Sequence, residues 1–269
     1  MKTKAKPRRI VRWVLLGVVF ILLIVIASAG IWLRPLPASA QALDALHGGG
    51  GVTVTTTNDS VTFMPAQKPS EGLLFYPGAK VDPNAYARYM RTFAEHGYAA
   101  FVVKMPLNIA LLGENLAADV IAANPSIKKW VIGGHSLGGV AACRFAARNA
   151  VITGLLLYAS YCDVDLSKQT RLHVVSIAGT NDGLATPAKI ADTKHFLPTT
   201  TLYVTVQGGV HAFFGDYGVQ DGDGQPTTSR EIAHATIANA SVALLDEVAG
   251  VKLAVDKGIA NIGGIGWLC

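Results

Sequence analysis

Three residues in this 269-residue chain have the types and order needed for nucleophilic chemistry: Ser136, Asp182 and His211. A serine hydroxyl is a weak nucleophile until a base takes its proton. The base in turn works best when a carboxylate orients it and stabilises its cation. Ser136 lies in "WVIGGHSLGGVAA" (Trp130–Ala142), within the pattern Gly134-x-Ser136-x-Gly138. Glycines on both sides of a serine remove side chains that would collide at a sharp strand-to-helix turn, so the turn can hold the hydroxyl clear of a sheet. The N–H of Leu137, opening the next helix, would then face an oxyanion formed on the substrate. A short pattern in a chain with 28 glycines says little by itself. Its position decides its weight.

The elements around it supply that position. "VTVTTT" and "VTFMP", separated by Asn58-Asp59-Ser60, predict an opening hairpin. "GLLFYPG" reads as a strand covered on both faces, and "PNAYARYMRTFAEHG" as a helix with Tyr86, Met90 and Phe93 on one face. The alternation continues with strands "YAAFVVKMP", "KKWVIGG", "ITGLLLYAS", "HVVSIAGT" and "TLYVTVQGG". Between and after them stand helices "GENLAADVIAAN", "SLGGVAACRFAARN", "PAKIADTKHFL" and "TSREIAHATIANASVALLDEV". This pattern predicts an α/β fold, a mostly parallel sheet with helices on both faces. The Ser136 motif falls at a strand's carboxyl end, where such sheets collect reactive groups.

Asp182, in "IAGTNDGLATP", follows the next-to-last strand, and His211, in "VQGGVHAFFGDYG", follows the last. Where a G-x-S-x-G serine sits at such a strand-to-helix turn, its partners follow in the order Asp or Glu, then His, and both residues fit that order. Other residues compete less well. Asp163 and Asp165 follow the preceding strand and could replace Asp182. His135 reads as a packing residue of the turn, His96, His195 and His234 as solvated helix positions, and His47 as part of a tether. His173 begins a strand, at the wrong end of the sheet. Asp216, Asp221 and Asp223 miss the spacing of a calcium loop and read as a Gly/Asp-rich loop beside the histidine. A second oxyanion donor is expected from "FYPGAKVDP": the N–H of Ala79, with Lys80 as the alternative and an ordinary turn as the rival reading.

The N-terminus places the domain. Residues 13–33 carry no charge, and twenty-one mostly apolar residues in a helix cross a hydrocarbon core of roughly 30 Å. Lys2, Lys4, Lys6, Arg8, Arg9 and Arg12 precede them and only Arg34 follows closely, so the N-terminus is expected inside and the rest outside the membrane. The competing reading is a secretory peptide cut between Ala40 and Gln41, within "PASAQ"; the apolar region exceeds the usual length of such peptides. Without the six N-terminal basic residues, 17 of the 23 Lys and Arg remain against 18 Asp and Glu. The basic character is therefore a topology signal, and nucleic acid is not an expected partner. Three cysteines, Cys143, Cys162 and Cys269, fit no zinc spacing, and Cys143 is expected as a buried free thiol in a core helix.

The motif, the Asp and His loops and the strand–helix alternation together resemble the α/β-hydrolase superfamily over Val52–Val248. "FYPGAKVDPNAYA", "VVKMPLNIA", "GGHSLGGVAA" and "GGVHAFFGDYGVQDGDG" are similar to its bacterial dienelactone-hydrolase-like branch, many members of which carry an N-terminal membrane segment. The resemblance implies Ser136, Asp182 and His211 as a catalytic triad, with no cofactor and no metal. The chain departs from that branch in having serine where dienelactone hydrolases use cysteine, and it leaves no room for a large lid between Ser160 and Pro187. The expected organisation is a basic tail (1–12), an anchor helix (13–33), a linker (34–51) and a hydrolase domain (52–249). A C-terminal segment (250–269) completes the chain. The expected activity is cleavage of a small-molecule acyl ester, thioester or amide outside the membrane. The same triad would also serve an acyltransferase, and a non-catalytic binding protein could inherit the fold.

Overall fold

The computed structural model describes residues 7–251. Its centre is one eight-stranded sheet in the order β1-β2-β4-β3-β5-β6-β7-β8. β1 (Val52–Thr56) and β2 (Ser60–Pro65) form the expected hairpin, with Thr57 Oγ1 accepting from the N–H of Asp59 and Ser60 at the turn. β2 pairs antiparallel with β4 (Ala99–Val103). From there to the far edge all pairing is parallel, through β3 (Glu71–Tyr76), β5 (Lys129–His135), β6 (Ile152–Tyr158), β7 (His173–Gly179) and β8 (Leu202–Val206). Every loop that could do chemistry therefore leaves the same edge.

Both faces of the central strands are buried, which explains their continuous apolar runs. Leu73 and Phe75 of β3 face one layer, with residues of α3 (Ala87–Glu95) and α7 (Arg230–Ala249); Leu74 and Tyr76 face the other, with α4 (Ala117–Ala123) and α5 (Leu137–Arg148). The expected helix from Pro187 divides into α6 (Pro187–Asp192) and a short 3-10 turn at Lys194–Phe196. The helix α1 (Pro7–Trp32) covers the expected apolar span, 13–33, as far as Trp32 and starts several residues before it. Its apolar side chains from Val11 to Ile26 are exposed, so the domain does not cover it.

Two expectations are corrected. Residues 34–51, read as a tether, lie docked along the domain. Leu36 donates its N–H to Lys80 O (2.6 Å) and accepts from Asp82 N–H (3.0 Å), Ser39 N–H donates to Asp216 O (2.7 Å), and Ala38 bridges Tyr217. Ser39 also caps the short helix α2 (Ala40–Asp44), whose Ala42 is buried. The Arg91 guanidinium then gathers the carbonyls of Ala45, His47 and Gly49. Small residues and glycines read as slack, but one arginine gathers three of the segment's carbonyls. Second, Cys143 is no free thiol: it forms a disulfide with Cys162, joining α5 to the segment after β6. Cys269 and the rest of the expected C-terminal segment beyond Val251 lie outside the described residues.

Candidate active site

Ser136 stands at the corner between β5 and α5 with φ 53° and ψ −123°, a region that costs a residue with a Cβ on the order of 1–3 kcal/mol. The surroundings over-determine this conformation. Its N–H donates to Tyr158 O (2.9 Å), and its carbonyl accepts from Ser160 Oγ (2.6 Å) and from the Gly139 N–H (3.0 Å). The flanking glycines are required by contact. A Cβ on Gly134 would sit 2.3 Å from the Gly138 carbonyl carbon, and one on Gly138 would sit 2.1 Å from Tyr76 O. Strand, turn and helix pack so closely here that only hydrogen fits.

Asp182 and His211 are brought together. His211 Nδ1 donates to Asp182 Oδ2 (2.8 Å), with both side chains buried, and Asp182 Oδ1 accepts from the N–H groups of Leu184 and Ala185 (2.8 Å each). This fixes the histidine tautomer and leaves the Nε2 lone pair as the basic site. Nε2 is buried and has no hydrogen-bond partner among the described residues, so no bond joins it to the Ser136 hydroxyl in this structure. The His211 ring lies 4.5 Å, centroid to centroid, from that of His135, the residue preceding Ser136. The rival acids are engaged elsewhere: Asp163 pairs with Arg144 (2.6 Å), and Asp165 accepts from Ser167 N–H (2.9 Å).

His135 is more than a packing residue. It is fully buried, and burial, reinforced by the neighbouring His211, holds its pKa well below the ordinary imidazole value, so it is neutral. Tyr86 Oη accepts from Gly78 N–H (2.9 Å), which leaves its hydroxyl proton for His135 Nδ1 (2.9 Å). A chain of two hydrogen bonds thus ties the serine corner to the loop expected to supply the second oxyanion donor. That loop carries both candidate donors, Ala79 and Lys80. Lys80, at φ 61°, gives its N–H to Asn108 O (2.8 Å). The N–H groups of Ala79 and Leu137 have no acceptor among the described residues.

The loop after β8 holds groups to which the sequence pattern assigns no role. Asp223 Oδ1 accepts from the N–H of His211 (3.0 Å), Gly224 (2.8 Å) and Gly183 (3.3 Å), and Oδ2 accepts from Ala212 N–H (2.9 Å). One carboxylate therefore clamps the Asp182 loop to the His211 loop. From the other side Arg230 donates to the carbonyls of Ala212 (2.6 Å), Gly215 (2.5 Å) and Tyr217 (3.0 Å). Asp216 is buried beside Arg88 (3.3 Å); burial raises its pKa, and the two arginines Arg88 and Arg230 oppose that rise. His234 is likewise not solvated. It stacks on Tyr89 with centroids 4.2 Å apart, and burial lowers its pKa to about 4. The Asp-Gly run signals a loop, but nothing in its residue types marks which carboxylate will meet which backbone N–H.

The strand order, with its antiparallel second strand and parallel remainder, and the strained serine at the end of β5 define a class: hydrolases of the α/β type. The chain belongs to the alpha/beta hydrolase family, which it matches over residues 72–235. It is similar in structure to a dienelactone-hydrolase-like promiscuous phosphotriesterase from metagenomic libraries: 17% identity, TM-score 0.58, 74% of this chain and 99% of that one covered. It is similar also to a thermophilic esterase of the planctomycete Thermogutta terrifontis (16%, TM-score 0.54, 74% and 93%) and to TT1662 from Thermus thermophilus (13%, TM-score 0.53, 72% and 98%). At such identities the likeness establishes the fold. No curated protein sequence matches the chain.

Proposed function

We propose that the protein is a membrane-anchored serine hydrolase of the esterase type, with Ser136 as nucleophile, His211 as base and Asp182 as its orienting acid. One observation carries the reading: a buried imidazole, held through Nδ1 by a carboxylate, keeps an unpartnered Nε2 beside a serine corner locked in a strained conformation. A buried acceptor without a partner costs roughly 1–3 kcal/mol. His135 and His234 also carry an unpartnered Nε2, but of the three only His211 has its other ring nitrogen held by a carboxylate. Catalytic hydrogen bonds of this kind often tighten only when substrate is present.

In the proposed reaction the Ser136 Oγ attacks the acyl carbon while its proton passes to His211 Nε2. Asp182 stabilises the imidazolium, and the N–H groups of Ala79 and Leu137 receive the oxyanion. The imidazolium then protonates the departing alcohol. Water, deprotonated by the same nitrogen, releases the acid and restores Ser136.

The location rests on α1 and on the segment that succeeds it. The Ala40–Gln41 bond, the candidate cleavage point, lies inside α2, and Leu36, Ala38 and Ser39 before it pair with the domain. Cleavage there would remove chain that the folded protein uses, which favours an uncleaved anchor. The Cys143–Cys162 disulfide agrees with an extracytoplasmic, oxidising setting.

The test is labelling with a fluorophosphonate probe. The wild-type protein is expected to be labelled and Ser136→Ala, folded to the same melting temperature, to remain unlabelled. A folded wild-type protein that takes up no label refutes the assignment of Ser136.

A further inference from the structure

The anchor and the candidate site are joined by very little chain. Helix α1 ends at Trp32, and four residues later Leu36 is already hydrogen-bonded to Lys80 and Asp82, in the loop that carries Ala79. Four extended residues reach at most roughly 14 Å. The next pairings, Ala38 with Tyr217 and Ser39 with Asp216, fasten the same segment to the His211 loop. Thus the end of α1 is moored at the carboxyl edge of the sheet, over the loops that flank Ser136.

The surface of that edge is suited to a bilayer. Asn108 O holds the Lys80 N–H, so the 106–109 turn is the immediate neighbour of the oxyanion loop. Within this turn Leu107 is 59% exposed and Leu112, just beyond it, is 57% exposed. Leu107 and Asn108 both adopt φ 54°, a left-handed conformation unfavourable for residues with a Cβ, so the exposed leucine sits on a strained turn. On the other flank Val219, two residues after Tyr217, is 91% exposed. Of the other exposed apolar residues of the domain, Leu43 lies in the docked segment and Ile232 in the first turn of α7, while Val151 and Leu202 stand before or at the start of strands at the opposite edge and Val251 follows the end of α7.

We propose that the carboxyl edge of the sheet rests on the membrane that holds α1, and that the site takes acyl esters of amphiphiles resident in that leaflet. The proposal rests on the serine-hydrolase reading and deepens it by naming where the substrate lies. Leu107, Leu112 and Val219 enter the interface, and the tight mooring at Leu36–Ser39 keeps Ser136 within reach of an ester group at headgroup depth. A soluble enzyme on a long leash would need neither feature.

The full-length protein in phosphatidylcholine vesicles provides the test, with two esters of one fluorophore: water-soluble umbelliferyl butyrate and bilayer-embedded umbelliferyl oleate. The first variant inserts twenty Gly and Ser residues between Arg34 and Pro35, ahead of every docking contact. Turnover of the embedded oleate is expected to fall at least tenfold, with butyrate turnover within twofold of wild type. The second, Leu107→Glu with Leu112→Glu, is expected to lower the ratio of oleate to butyrate turnover at least fivefold. Wild-type protein that cleaves butyrate but not embedded oleate overturns the proposal and leaves the hydrolase reading standing. So does an insertion that changes both rates equally or neither. Failure to cleave either ester, with Ser136 unlabelled by fluorophosphonate, defeats the hydrolase reading and this proposal with it.

Discussion

Replacing Asp223 by alanine should cripple the enzyme without touching the proposed triad. The carboxylate receives four backbone N–H groups, and two of them, on His211 and Ala212, belong to buried residues of the loop that carries the base. Hydrogen bonds to an ionised acceptor contribute about 1.5–3 kcal/mol each, so these two account for about 3–6 kcal/mol. Asp223 is half-exposed and Gly183 exposed, so water can replace part of what is lost. A net cost of about 2–3 kcal/mol, concentrated in the 208–224 loop, results from that discount. The kinetic effect is larger than the stability cost suggests, because a displacement near 1 Å of a catalytic group lowers a rate about a hundredfold. Steady-state kinetics on a short soluble ester should therefore show kcat falling about 10- to 100-fold with KM little changed. The rate of fluorophosphonate labelling at Ser136 should drop in parallel. Asp223→Asn keeps one acceptor oxygen and turns an amide N–H₂ toward the remaining donors, so it should fall between wild type and alanine. If Asp223→Ala retains kcat/KM within twofold, the clamp is not what positions His211.

The remaining predictions concern the corner, the disulfide and the buried histidines. Gly138→Ala drives a Cβ to 2.1 Å from Tyr76 O, a backbone clash that no rotamer relieves, and little folded protein should be recovered. Tyr86→Phe leaves the Gly78 N–H and His135 Nδ1 without their shared partner; it should cost about 1–3 kcal/mol by chemical denaturation and lower kcat more than it alters KM. Cys143→Ala opens a loop with a sequence separation of 19 and should lower unfolding stability by about 3 kcal/mol, read from the urea midpoint. The folded-state pKa of His234, about 4, lies below its unfolded value, so the unfolded chain binds the extra proton. Stability should thus fall as pH drops from about 6.5 to about 4 and the loss should level off below that, and His234→Phe, stacking on Tyr89 in its place, should flatten this limb of the urea-midpoint profile.

The alternation of strands and helices was legible because a buried parallel strand and its crossover helix leave different periodicities in the chain. Asp182 and His211 were legible for a topological reason: each follows a strand of one sheet, so chain order alone brings them to one edge. What escaped has a common cause. Asp223 and Arg230 meet backbone N–H and C=O groups, and Tyr86 bridges a backbone N–H and a side chain distant in sequence. Backbone partners have no residue type, so nothing in the sequence names them. The same applies to the segment from Pro35 to Gly51, where Arg91, some forty residues on, holds the carbonyls of Ala45, His47 and Gly49. The cysteines fail for another reason: three allow three possible pairs, and only the packing of α5 against the segment after β6 selects Cys143 with Cys162.

The docked segment also separates two boundaries that usually coincide. The stretch shared with the family begins at residue 72, and a strand-based cut would begin at Val52. Either cut discards Leu36 and Ser39, and with them the partners of Lys80, Asp82 and Asp216. A soluble form begun at such a point would expose edges in two loops that border Ser136, and its low activity would be misread as a weak enzyme. The unit to express is the one starting at Arg34: the inherited fold begins later than the chain that its loops depend on.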